Sequence, residues 1–409
     1  MKIWIINPYD QTPEQQATRT YEYTRKIVQY GHEVTVIASS FNHYKLIEEK
    51  LKWYELWKDE YYEGIRFTWV KTFPYRSNDW RRTLNMLSHA VMAFLVGLVR
   101  FERPDIIMGV SVPISSGFAG YVLSLIKRAR FIFEVRDLWP ESLIDLGLLS
   151  KDSPVATIMR KMEYFLYQSS YRIISVLPFA YRYIVNLGIS EDKVVWLPNG
   201  IDLENYRNTP AYDGGPDFHE DGHGRKFTVM YVGRFGNYQG IEVIVEAARL
   251  VSEKHRDRIR YVLIGDGPER ERIQKMVEEY GLTNIEFKGL LPKRAIPEAT
   301  GEADVCIAIL KNMDVLKYGI NPNKLFDYLA SGRPIIFAIK SVNNPVEDAG
   351  AGISIPPQDP QALARAIEEM IEMTPGERKT MGDNGLWYMR ENYEINVLAK
   401  RLERVYMGM

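Results

Sequence analysis

Cysteine is nearly missing: Cys306 stands alone in 409 residues. One thiol excludes an internal disulfide, so nothing ties the fold to an oxidising compartment. Cys306 lies in the apolar run Ala303–Ile309, which reads as a buried strand and makes it a structural thiol rather than a nucleophile. Net charge is also scarce. A formal charge of −1 excludes a nucleic-acid binder acting by bulk phosphate neutralisation, though not a local basic patch. There are six histidines, and none sits in a motif that demands one. His219 and His223 fall in a glycine-rich polar stretch over 212–224 that reads as a solvated loop, so no metal site is expected. The segment Met1–Asn7 lacks the basic region, long apolar region and cleavage site of a signal peptide and reads as a first strand. The longest near-apolar run, Met86 to Val99, contains Ser88 and His89 and falls short of the ~20 residues of a spanning helix. A soluble protein is expected.

What is present is apolar substance for two cores: 46% of residues are hydrophobic, and 409 residues exceed what one core usually holds. Short β-rich runs alternate with longer helical patterns. In the first half the strand candidates are Lys2–Ile6, Val34–Ala38, Ile65–Val70, Ile106–Val110, Phe131–Val135, Ile173–Val176 and Val194–Leu197. Helical stretches over 18–30, 82–100, 116–127 and 154–169 separate them. Such alternation implies a doubly wound parallel sheet. The pattern restarts at Thr228–Val232 and runs through Tyr261–Ile264, Ile285–Lys288, Val305–Ile309, Ile335–Ala338 and Gly352–Ile355. The fold class is therefore α/β with two Rossmann-like domains, 1–200 and 201–390, and a last helix over about 391–409 packing back on the first. Ligands bind at the carboxyl ends of such strands, so a site in the crevice between the halves is expected.

The stretch Lys317–Pro334 is the most informative. Gly319 and Ile320 lead through Asn321 and Pro322 into a helix beginning at Asn323 and stopped by Gly332. Free N–H groups at a helix start attract anions. Lys324 and Asp327 lie three apart on one face; lysine suits a diphosphate and the carboxylate a ribose, or the two form an ordinary surface ion pair. Gly233-Arg234-Phe235-Gly236 follows a strand, and Arg234 either meets phosphate or caps a loop. Gly265 and Gly267 follow the next strand; they allow close backbone approach to a ligand or simply a tight turn. The motif is no dinucleotide fingerprint, since Arg270 takes its third glycine position.

Taken in order, these segments resemble the family-four glycosyltransferases, which have the GT-B fold and retain anomeric configuration. Lys317–Pro334 is similar to their nucleotide-binding segment. Asp327 matches the second of two acids in the family's pattern, while the first acid's position holds Gly319. Arg234 matches a donor-diphosphate arginine, and the lysine position five residues on holds Gln239. Gly289-Leu290-Leu291-Pro292 resembles the segment that meets the nucleobase, and Pro198–Asp202 the interdomain hinge. In the first half, Arg136-Asp137-Leu138-Trp139-Pro140-Glu141-Ser142 matches the form found in a subgroup building bacterial surface polysaccharides, including transferases of N-acetylated deoxysugars.

The resemblance implies a glycosyltransferase using a nucleotide sugar, UDP-linked by first expectation, with no cofactor and no metal. It implies catalytic roles for Asp137, Arg234 and Lys324. Donor contacts fall on Gly233, Arg234, Gly265, Gly267, Leu290, Leu291, Gly319, Ile320, Asn321, Asn323, Lys324 and Asp327. Acceptor contacts fall on Gln15, Gln16, Arg19 and Arg136, although Arg19 also reads as a surface charge and Asp137 as a partner of Arg136. The acceptor is a glycan or a polyprenyl-phosphate-linked sugar. Trp80-Arg81-Arg82 before the run Met86–Val99 raises peripheral membrane association, against a helix covering the sheet; a cytoplasmic location is expected. The alternatives are a sugar-nucleotide epimerase of the same fold, and a non-catalytic nucleotide-sugar-binding partner subunit.

Overall fold

The computed structural model describes residues 1–12, 18–43, 45–77, 79–216 and 225–409. Gln15, Gln16, His219 and His223 lie outside them. The chain divides into two compact units, Met1–Gly200 with Ile395–Met409, and Ile201–Glu394.

In the first unit, β1 (Lys2–Ile6), β2 (Glu33–Ser39), β3 (Trp57–Tyr62), β4 (Ile65–Val70), β5 (Ile106–Val110), β6 (Arg130–Val135), β7 (Arg172–Ser175) and β8 (Val194–Trp196) form one sheet. Their order is β8-β7-β6-β5-β1-β2-β4-β3. Neighbours are parallel, except that β3 runs antiparallel to β4 at the edge. The central strands are buried along nearly their whole length, which is why they read as unbroken apolar runs. β3 gives no such signal, because Lys58, Asp59 and Glu60 are what a half-exposed edge strand carries.

Ile3 and Ile5 face helix α1 (Arg19–Gln29) and the C-terminal helix Ile395–Met407, through Tyr21, Ile27, Leu398 and Leu402. Trp4 and Ile6 face α2 (Trp80–Val99) and α3 (Ile114–Lys127), through Ala93, Val96 and Leu123. α4 (Pro154–Ser169) lies beside α3, and Gly117 is closed in by Phe133 and Leu166. α2 starts two residues before the expected helix, because the Asp79 side chain accepts from the Arg81 N–H. At 20 residues it is long and apolar enough to cross a membrane by length and composition, a correction to the shorter run read from sequence.

In the second unit, β9 (Phe227–Val232), β10 (Ile259–Ile264), β11 (Ile285–Gly289), β12 (Val305–Ile309), β13 (Ile335–Ala338) and β14 (Gly352–Ile355) form an all-parallel sheet. The order is β11-β10-β9-β12-β13-β14, reversing direction of travel at β9 and β12. Helices α5 (Glu242–Leu250), α6 (Arg270–Glu279), α7 (Asn323–Ala330), α8 (Pro360–Glu372) and α9 (Pro375–Asn392) cover it. Cys306 is buried on β12, and burial pushes its thiol up to about 12, which makes it inert.

Candidate functional site

In the second unit Gly233 and Arg234 follow β9, Gly265 and Gly267 follow β10, and Lys324 lies beside them. The chain leaves β9 through Gly233, whose N–H donates to the Ile264 carbonyl at 2.9 Å. Gly265, at φ +140°, is pressed so close that an added Cβ would sit 1.8 Å from the Gly233 carbonyl oxygen. A Cβ on Gly267 would sit 2.4 Å from the Phe235 carbonyl oxygen. Both glycines are thus required by the packing of one strand-end loop on the other. The packing holds Arg234 on the surface, where its guanidinium is exposed and makes no hydrogen bond or ion pair among the described residues.

Lys324 belongs to the first turn of α7, a helix that opens at Pro322 with no side-chain cap. Its half-buried stem crosses Tyr231, with Nζ 4.4 Å from the ring centre and donating to the Tyr231 hydroxyl at 2.9 Å. That hydroxyl donates to the Arg234 carbonyl at 2.9 Å. A Cβ on Gly233 would meet Lys324 Nζ at 3.0 Å, so these groups touch. Burial pushes the Lys324 ammonium down to about 7. Tyr328, also on α7, accepts the Val232 N–H at 2.7 Å and donates to the Val232 carbonyl at 3.0 Å, pinning α7 to the end of β9.

Asp327 departs from the alternative reading of its spacing, a surface ion pair with Lys324. It pairs not with Lys324 but with Lys293, at 2.5 and 2.7 Å, and accepts from the Tyr206 hydroxyl at 2.6 Å. The carboxylate is buried, while Lys293 is partly exposed. Ile320 also departs: its N–H donates to Asn343 Oδ1 at 2.8 Å, so that amide is already used. Gly319 has φ +96°, a conformation that disfavours any side chain, including the acid of the family's pattern. Gln239 is buried and folds back to accept the Gly236 N–H at 3.1 Å, a brace within its loop. Asn321 and Asn323 flank the helix start, and Leu290 stands 74% exposed beyond β11. Sequence reasoning missed Tyr231, Lys293 and Tyr206; only the lysine directly after Pro292 offered a signal.

In the first unit, Asp137 is an exposed residue directly after β6, while Ser111 Oγ donates to its carbonyl at 3.1 Å and accepts the Arg136 N–H at 3.0 Å. The alternative reading, Asp137 as the structural partner of Arg136, gives way to Glu134. This buried acid takes Arg136 Nε at 2.8 Å and Arg19 Nε at 2.9 Å. Despite its burial, Arg136 and Arg19 hold its carboxyl down at about 2. Arg19 also donates to the carbonyls of Leu197 and Pro198 and stacks 4.5 Å over Tyr23. Buried and fully engaged, it is a structural tie between α1 and the end of β8, which corrects its assignment to an acceptor phosphate. Among the described residues no cluster of three His, Cys, Asp or Glu could hold a metal.

Two Rossmann-like parallel-sheet units make up the GT-B fold. Residues 226–373 match the model of glycosyl transferases group 1, and residues 16–200 that of the glycosyl transferase 4-like domain. The chain belongs to this glycosyltransferase family. It is similar to the probable glycosyltransferase WbjE of Pseudomonas aeruginosa, 25% identical over 74% of this chain and 75% of that one. It is also similar to the putative colanic acid biosynthesis glycosyl transferase WcaI of Escherichia coli, 23% identical over 91% and 92%. Among solved structures, sucrose-phosphate synthase of Thermosynechococcus elongatus superposes with a TM-score of 0.74 at 18% identity, covering 100% and 98% of the two chains. HepE of Anabaena, in complex with UDP, does so with 0.71 at 15%, covering both chains fully.

Proposed function

We propose that this glycosyltransferase moves a sugar from a UDP-linked donor to a glycan or lipid-linked acceptor, in surface-polysaccharide assembly in the cytoplasm. Anomeric configuration is retained and no metal takes part. The observation that carries the reading is Lys324: a suppressed cation held by Tyr231 on a helix start without a side-chain cap, near Arg234, whose side chain has no partner among the described residues. Such a place takes a diphosphate. In the reaction the bond from sugar C1 to the β-phosphate oxygen breaks and a bond from the acceptor oxygen to C1 forms. The acceptor's proton passes to the departing phosphate, whose charge Arg234 and Lys324 balance. Asp327, fixed by Lys293 and Tyr206, takes the ribose hydroxyls, and Leu290 covers the base. Asp137 offers its carboxylate to the acceptor hydroxyl or the donor sugar. WcaI's name and the UDP bound by HepE support the acceptor class and the nucleotide.

The test is a panel of UDP-, GDP- and ADP-sugars, read by thermal stabilisation and then by product formation. UDP-sugars are expected to raise the melting temperature most. No stabilisation by any of them, with turnover retained in both Lys324→Ala and Arg234→Ala at saturating donor, would refute the proposal.

A further inference from the structure

Helix α2 presents a face that its own fold leaves bare. Trp80, Leu84, Leu87, Val91, Leu95 and Leu98 are all exposed, Trp80 at 64% and Val91 at 56%. Their spacing of three or four residues makes one continuous stripe. No charged residue occurs from Thr83 to Val99. The adjacent α3 carries exposed Phe118, Leu125 and Ile126. A soluble surface scatters its apolar side chains singly, and an apolar sheet of this length marks a docking face.

The opposite side of α2 is fastened to the protein. His89 Nε2 lies 3.3 Å from the Ile37 carbonyl, Asn85 donates to the Phe73 carbonyl at 2.7 Å, and Gly97 is backed so closely by Leu123 that an added Cβ would lie 2.4 Å from it. The helix is therefore built to lie flat against its sheet, although its length would let it span.

Charge decides what covers it. Residues 76–103 and 111–130 together hold eight Lys or Arg against two Asp or Glu, in a chain whose net charge is −1. Exposed Arg76 and Arg81 stand at one end of the stripe, exposed Arg103 and Arg128 at the other. The two acids are occupied: Asp79 caps the helix, and Glu102 pairs with Arg66. Two copies packed through this stripe, in either direction, would set basic end against basic end. An anionic surface meets both ends and the apolar middle at once. We infer that the α2–α3 face of the first unit docks in the interface of an anionic lipid bilayer. This inference stands on the first unit alone and does not depend on which nucleotide the second unit takes.

Flotation of the full chain with vesicles of about one-third phosphatidylglycerol in phosphatidylcholine tests it. The wild type is expected to float with these vesicles and to do so less with phosphatidylcholine alone. Leu87→Gln with Val91→Gln, and separately Arg81→Glu with Arg128→Glu, should each weaken binding by about tenfold or more. These positions are exposed, so melting temperatures confirm that the variants fold. A wild type that stays with the unbound fraction overturns the inference, as does undiminished binding of the Leu87/Val91 variant. A dimer by light scattering that the same variant dissociates, without flotation, assigns the face to a second copy instead.

Discussion

If Lys324 meets the donor's diphosphate, then donor binding must take up a proton. In the free protein, burial holds the Lys324 ammonium at about 7, so at pH 8 about nine molecules in ten carry it neutral. A diphosphate placed at Nζ favours the charged form and returns the pKa toward the ordinary lysine range. The bound state then holds one proton more than the free state at every pH between the two values. Affinity for UDP should be full below about pH 7 and fall about tenfold per pH unit above it, until the bound pKa is reached. Calorimetry in two buffers of different ionisation heat measures the uptake directly, and it should approach one proton near pH 8. Lys324→Met should bind UDP more weakly and without this pH dependence. Lys324→Arg, charged throughout, should lose the dependence while keeping much of the affinity.

Folding gives the opposite sign in the empty protein. A lysine whose pKa is lowered on folding binds fewer protons folded than unfolded between about 7 and the ordinary value near 10. Its burial therefore costs stability below pH 7, and the cost is relieved as pH rises through that window. Without ligand, Lys324→Met should melt higher than the wild type at pH 6, with the gap narrowing by pH 9. An affinity that stays level from about pH 6.5 to 8.5, with no proton uptake, would refute the placement of Lys324 against phosphate.

Arg234 is exposed and its side chain has no partner among the described residues, so Arg234→Ala should leave stability within about 0.5 kcal/mol by urea unfolding, while turnover falls about 100-fold. Asp327→Asn leaves the Lys293 ammonium and the Tyr206 hydroxyl without their carboxylate and should cost about 2–3 kcal/mol in the same assay. Adding Lys293→Met should recover part of that loss, a coupling that a double-mutant cycle reads. Arg19→Met strips a buried partner from Glu134 and should cost about 3 kcal/mol or more at pH 7. Glu134 is held at about 2, so its contribution is full above the ordinary carboxylate range and fades as pH falls from there toward 2; the gap between wild type and variant should shrink over that window. Melting curves indistinguishable from wild type would make Arg19 a surface charge after all.

The two sheets were legible because their strands are buried on both faces and carry unbroken apolar runs, as Ile106–Val110 and Val305–Ile309 do. The edge strand Trp57–Tyr62 was not, because half-exposed positions admit charge. Within the candidate site, turn and helix-start chemistry placed Gly233, Arg234 and Lys324 on loops and turns that the fold brings together. Partnerships were another matter. Spacing of three suggested Lys324 with Asp327, yet Asp327 is met by Lys293, 34 residues away, and by Tyr206, 121 residues away. Glu134 sits within a strand whose other interior residues are apolar; Arg136 is only two residues on, but nothing local says that Arg19, 115 residues away, will close on it as well. Helical neighbours are written in the sequence; partners delivered by strand order are not.

The two departures from the family's pattern share a physical cause. Gly319 takes a left-handed backbone in which a carboxylate-bearing residue would be strained. Gln239 is turned inward to hold the Gly236 amide, where a lysine could not accept that N–H. At both positions the loop's path, rather than a missing side chain, sets what the position can do. On the proposed reading, the positive charge for a leaving diphosphate then falls to Arg234 on the surface and Lys324 on the helix start. Lys293 is already balanced by Asp327 and adds little. On that reading Lys324, suppressed when the site is empty and strengthened by each increment of negative charge beside it, would respond more strongly as the C1–oxygen bond breaks. That is differential stabilisation of the departing group, the only kind that lowers the barrier to transfer.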